Sequence, residues 1–196
     1  MTSKAICLLA LTFAFMMTSC SKKSSPAPSS TTTTTTNYPY YFRFNLNGVG
    51  DTIVSKNDMK GYAVNTNAIL ATITGNGNGL WPSIDLNFSL PNWWDTVQES
   101  DVMSMIGKKL YFTDSVMQPN IRFEKSDTAE WESYEHSGDY VQVDSITFNG
   151  TDNYMGHAVR TYIIVGSCQA MLEKSFGVDE LFTGSFRMRL VRVTSW

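Results

Sequence analysis

The sequence is poor in the residues from which metal and nucleophile sites are built. Its 196 residues hold three cysteines, Cys7, Cys20 and Cys168, and two histidines, His136 and His157. No Cys/His spacing fits a zinc site, so no metal is expected. No Gly-x-Ser-x-Gly elbow occurs, because Gly166-Ser167-Cys168 lacks the second glycine. The Gly75 to Gly79 run lacks the Lys-Ser/Thr of a phosphate loop and reads as a hairpin turn, and no dinucleotide fingerprint is present. No cofactor and no catalytic residue are therefore assigned. Positive charge is scarce as well. Of 15 Lys+Arg, Lys4, Lys22 and Lys23 precede Tyr38, so 12 face all 18 Asp+Glu in the remainder, a formal charge of −6. Phosphate binding needs clustered positive charge, which argues against nucleic acid as the partner.

Long apolar runs are also missing. Ala5 to Met17 is apolar for 13 residues apart from Thr12, short of the about 20 that a bilayer span needs. With Lys4 before it and small polar residues after it, the run has the form of a signal-peptide core, removed on export. The following Met17-Thr18-Ser19-Cys20 resembles a lipobox, the processing site of bacterial lipoproteins, although Met17 stands where Leu is usual. That resemblance implies cleavage after residue 19 and acylation of Cys20. Each buried methylene contributes about 0.8 kcal/mol, so two or three acyl chains anchor stably.

Residues 21–37, SKKSSPAPSSTTTTTTN, have no apolar area to bury and read as a disordered tether. As a flexible coil it spans roughly 20–25 Å. Lys22 and Lys23 stand beside the lipid site and read equally as contacts for anionic headgroups or as part of a solvated spacer.

The chain from Tyr38 to Trp196 is long enough for one domain with a sizeable core. With Cys7 removed and Cys20 acylated, Cys168 has no partner for an intrachain disulfide. Period-two patterns dominate: Phe42, Phe44 and Leu46; Ile84, Leu86, Phe88 and Leu90; Ile121 and Phe123; Phe182, Phe186, Met188 and Leu190. Polar residues alternate with them, as in antiparallel sheets with one wet face. Asn47-Gly48, Gly75 to Gly79 and Asn149-Gly150 read as turns. From Val141 and Val143 to Ile146 and Phe148 the parity flips, which implies a bulge at Asp144-Ser145. Val159 to Val165 reads as a central strand buried on both faces. One helix is expected, capped by Ser100, with Val102, Met103, Met105 and Ile106 as its apolar stripe and Gly107 as its stop. The expected fold is all-β, an antiparallel sandwich or barrel with this one short helix.

A lipobox, a Ser/Thr tether, an aromatic strand ending in Asn47-Gly48 and a late Phe182-Thr-Gly-Ser-Phe186 strand together resemble the small β-sandwich lipoproteins of Bacteroidota, many of which close on a Gly-x-Phe strand. The resemblance implies a fold and no activity. It also bears on localisation: Ser21 is not the Asp that retains enteric lipoproteins at the inner membrane, and Lys22 and Lys23 replace the acidic residues of surface-export signals. The outer membrane, periplasmic leaflet, is the expected site.

Three features are candidates for function. Cys168 and His157 lie eleven residues apart on one strand pattern, so they face opposite sides of an unbroken strand, and Cys168 reads as a small buried hydrophobe. Residues 124–139 hold Glu124, Asp127, Glu130, Glu132, Glu135 and Asp139 and read as a solvated acidic loop; the spacing matches no EF-hand. Trp93 and Trp94 in a Pro91-containing loop, joined by Trp131, would make an aromatic platform for a glycan or an envelope protein. The leading expectation is a lipid-anchored, non-enzymatic binding or structural module, held to the membrane through Cys20. The alternative is an envelope hydrolase using carboxylates of residues 124–139.

Overall fold

Alternation of apolar and polar residues decides the architecture. A computed structural model describes residues 39–55, 68–75, 81–92, 95–154, 157–174 and 177–193. The strands are β1 (Tyr40–Leu46), β2 (Val49–Ser55), β3 (Ala68–Thr74), β4 (Ser83–Ser89), β5 (Lys109–Tyr111), β6 (Gln118–Ser126), β7 (Ala129–Ser133), β8 (Tyr140–Tyr154), β9 (His157–Lys174) and β10 (Asp179–Val193), with one helix, α1 (Glu99–Ser104). All pairings are antiparallel. Six strands close a ring in the order β10-β3-β4-β6-β7-β9 and back to β10. The all-β reading therefore holds, and the ring has the closed character of a barrel.

Two long strands, β9 and β10, carry the side sheets. On its free edge β10 pairs with β1 over Phe182–Arg187 and with β3 at Leu190 and Val191. On its own free edge β9 pairs with β8 along most of its length and with β7 at Leu172–Lys174. One wall thus changes partner part-way up. The hairpins β1–β2, β3–β4, β6–β7 and β9–β10 all turn at one pole of the ring. The β8–β9 hairpin turns at the other pole, and the chain enters β1 part-way up the wall, with Tyr41 opposite Arg187.

Side chains at period two fill the interior. Phe42, Ile69, Ile84, Leu86, Phe88, Ile121, Phe182, Phe186, Met188 and Leu190 are fully buried. Asn47 and Gly48, at φ 49 and 88, make the two-residue β1–β2 turn that Asn-Gly favours. The ladder slips between Val143 and Ser145, which is the bulge implied by the parity flip: Val141 and Val143 point inward before it and Ile146 after it.

Four sequence expectations are corrected. Asn149-Gly150 is not a turn; β8 runs through it to Tyr154, and Gly150 sits at a second slip with φ 118. Val159 to Val165 is paired on both edges, but Ile163 and Val165 are only half-buried while Tyr162 and Ile164 are fully inside. Residues 124–139 are not one loop, since they include the end of β6 and all of β7. The helix is capped by Gln98, two residues before Ser100, with Asp101 Oδ2 accepting the Gln98 N–H at 2.6 Å. Its buried stripe is Val102 and Met105, and Met103 and Ile106 face outward.

Gly107 ends the helical segment as expected, at φ 73, and its N–H donates to Val143 O at 2.8 Å. The helix packs onto the core through Val102 and Met105, each contributing about 1.5–3 kcal/mol by burial. Arg160 pairs with Glu99, and Arg192 Nε donates to Val97 O at 2.8 Å. These contacts tie α1 to β9 and β10 near the pole of the β8–β9 turn.

Candidate functional site

At the hairpin pole, four strands deliver aromatic rings to one point. Phe123 on β6 and Trp131 on β7 are register partners, so their side chains share a face. Their rings stack at 5.3 Å between centroids and 28°. Phe44 on β1 closes from the opposite wall, 4.9 Å from Phe123 and 5.6 Å from Phe182 of β10. The β1–β2 hairpin rides on β10 where β3 has left it, and a cleft of about 510 Å³ opens between that hairpin and β6–β7. Phe44, Leu46, Phe123 and Trp131 form its floor, with Val49 and Pro82 at its sides. Asn47, Asp51, Lys125 and Glu180 complete its rim. The volume is of the size that takes a small ligand or a partner's side chain, and the lining follows the usual division into apolar wall and few polar groups.

The charges around it are partly committed. Arg122 bridges Glu124 at 2.9 Å and Glu130 at 2.5 Å, and its guanidinium is held above its ordinary range, first by the bond to Glu130. Glu124 also accepts the Trp81 Nε1–H at 2.9 Å. Among the described residues, no ion pair engages Asp51, Lys125 or Glu180, the charged groups of the rim. Lys174 lies 5.2 Å over the Trp131 ring. The Trp131 Nε1–H is buried without a hydrogen-bond partner, a cost of about 1–3 kcal/mol carried in the wall of the cleft.

The expectation of an exposed Trp131 ring is corrected. Trp131 is 5 % exposed, because period two on β7 turns Trp131 and Ser133 inward and leaves Glu132 exposed. It contributes to a cleft floor and not to an open platform. Trp93, Trp94 and Cys20 lie outside the described residues. Cys168 is buried on β9, and burial pushes its thiol well above the ordinary range, which suits a packing residue and not a nucleophile.

The acidic residues do not converge. Glu124 and Glu130 are held by Arg122, while Asp139 is 4 % exposed and accepts the Met171 N–H at 2.8 Å. Burial raises the Asp139 carboxyl above its ordinary range. Glu132 and Glu135 line a second depression of about 550 Å³ with Tyr134 and Asn120. Among the described residues, no group of three or more His, Cys, Asp and Glu is placed to hold a metal ion.

Sequence reasoning does not find the cleft. Alternation marks Phe44, Leu46 and Phe123 as core, and nothing local shows that they end at an open pole. The stacking of four hairpin turns at one end is the signal that could have found it. Compared with known proteins, the chain matches no family model, no curated protein and no solved structure.

Proposed function

We propose that this chain is a lipid-anchored envelope protein, of the Bacteroidota β-lipoprotein kind that its lipobox, Ser/Thr tether and first and last strands resemble, and that its domain acts by binding rather than by catalysis. Cys20 carries the lipid, residues 21–37 are the tether, and the outer membrane's periplasmic leaflet is the location. The observation that carries the binding reading is the cleft of about 510 Å³ floored by Phe44, Phe123 and Trp131 and rimmed by Asp51, Lys125 and Glu180. Aromatic side chains with few polar groups are what recognition surfaces use as anchors. A hydrolase of the kind considered needs converging acid and base groups from residues 124–139 at a cleft, and there Glu124 and Glu130 are engaged by Arg122.

The test is site-specific photo-crosslinking in living cells. A photoreactive residue at Val49, which is 72 % exposed on the cleft side, is compared with one at Phe148, 46 % exposed on β8. Adducts to an envelope component from position 49 and none from 148 are expected. Equal adducts from both, or none from 49, would contradict a binding role for the cleft.

A further inference from the structure

Resting on the binding reading above, we infer that the cleft takes an apolar side chain presented by a cationic peptide segment of another envelope protein. Three observations choose this occupant. The first is that the aromatic faces are already used. Trp131 lies against Phe123 on one side and the Lys174 ammonium on the other, and Phe44 lies against Phe182 at 22°. Trp131 and Phe123 are 5 % and 3 % exposed. A sugar ring needs an open flat face on which to lie, and Trp131 and Phe123 leave none. A branched or aromatic side chain inserted between the β1–β2 hairpin and β6–β7 fills the apolar gap by burial and needs no open ring face.

The second observation is charge. Asp51 and Glu180 stand on the rim against Lys125. The β6–β7 turn beside it adds Asp127, the end of β9 adds Lys174 over the Trp131 ring, and Asp179 is already paired with His136 at 3.5 Å. Acid exceeds base at the mouth, so basic residues flanking the inserted side chain would be drawn in and held, while acidic ones would be repelled. The same field disfavours anionic lipid headgroups. The cleft also lies at the hairpin pole, at the far end of β1 from where the chain enters it. Seven residues of β1 separate the two ends, roughly 20 Å at strand rise.

The third observation concerns backbone pairing. β2 is the terminal strand of the sheet beside the cleft, and Asp51 Oδ1 accepts the Thr52 N–H at 2.7 Å. A charged side chain that occupies an edge donor discourages strand addition. Recognition therefore runs through side chains, with the inserted group and its flanking charges as the determinants.

The experiment uses the whole protein in phosphatidylcholine nanodiscs and fluorescence anisotropy of labelled pentapeptides. The probe has a central phenylalanine between two serines, with lysine at each end. Binding that weakens with added salt is expected, together with loss of binding when glutamates replace the lysines or alanine replaces the phenylalanine. Glu180→Lys should weaken the probe about fivefold and Lys125→Glu should tighten it by a similar factor, as one exposed charge does. Both positions are on the rim, so neither variant threatens the core. No binding of the lysine probe, equal binding of the glutamate peptide, or indifference to both rim variants would overturn the inference. Binding of chitotetraose in place of the peptides, abolished by Val49→Asp, would overturn it too, yet leave the binding role of the cleft standing.

Discussion

The ring of Phe42 occupies the space that a side chain on Gly184 would need. A Cβ at Gly184 would overlap Phe42 Cε1 and lie 3.0 Å from Arg43 O, so the Phe42 ring sits where it does because residue 184 has none. The glycine of the Phe182-Thr-Gly-Ser-Phe186 strand is thus a packing requirement of the aromatic core. Gly166 has the same role on β9, where a Cβ would overlap Gln142 O and stand 2.8 Å from Phe186 Cζ.

Gly184→Ala is expected to destabilise by about 1–3 kcal/mol, the usual cost of overpacking. Gly166→Ala should cost more, because its nearest obstacle is backbone that cannot rotate away. Thermal and denaturant melts of both variants check this. Unchanged stability in either would mean that the strands separate more easily than the packing implies.

Cys168 should behave as a buried methyl-sized hydrophobe. Cys168→Ala is expected to cost roughly 1 kcal/mol or slightly more and to leave crosslinking from the cleft intact. The native thiol, buried and with its ionisation suppressed, should react with a thiol reagent only as the protein unfolds. Rapid stoichiometric labelling of the native protein would contradict its burial.

Much of the fold is legible because strands write their faces at period two. Alternation turns Phe42, Ile84 to Phe88, Ile121 and Phe182 to Leu190 inward, and their apolar positions are buried. The bulge after Val143 is legible because an extra residue in one strand is what reverses the parity of its faces. The cap at Gln98 is not legible, since glutamine is a weak cap and Ser100 a strong one; the position is decided by where Asp101 can reach back. Asn149-Gly150 fails for a related reason. A turn dipeptide is a local preference, and pairing of β8 with β9 on both sides of it overrides that preference with a bulge. The cleft is hidden because Trp131 and Phe123 carry the same signal whether they lie mid-core or at an open end.

Asp139 offers a pH signature. Its carboxyl is raised from the ordinary 3.8, first by burial, with the Met171 N–H and His136 acting in the lowering direction and Asp179 in the raising one. A raised carboxyl in the folded state means that the ionised form is a burden to the fold above that raised value. The burden is relieved as pH falls, and it vanishes below 3.8, where the group is protonated folded or unfolded. Asp139→Asn keeps an acceptor for Met171 and removes the charge. Its stability relative to the parent should therefore be higher at pH 7 and converge on the parent's at pH 3. A variant that is less stable at pH 7 by more than at pH 3 would show that the ionised carboxylate is favoured by its surroundings.

The proposed membrane attachment through Cys20 is tested by removing that residue. Cys20→Ala should release the protein from the membrane fraction and abolish metabolic labelling with a fatty-acid analogue. Equal labelling of the variant would remove the lipid anchor. Protease treatment of whole cells should leave the domain intact if it faces the periplasm, and its digestion would move it to the cell surface.

The central claim is that the pole bearing Phe44, Phe123 and Trp131 is where this protein meets its partner. Hydrogen exchange read by mass spectrometry, on the full-length protein with and without soluble envelope extract, tests it most directly. Slowed exchange is expected in peptides covering residues 44–52 and 178–183, with peptides covering α1 and the β8–β9 turn unchanged. Protection at α1 and the β8–β9 turn with none at 44–52 and 178–183 would contradict it.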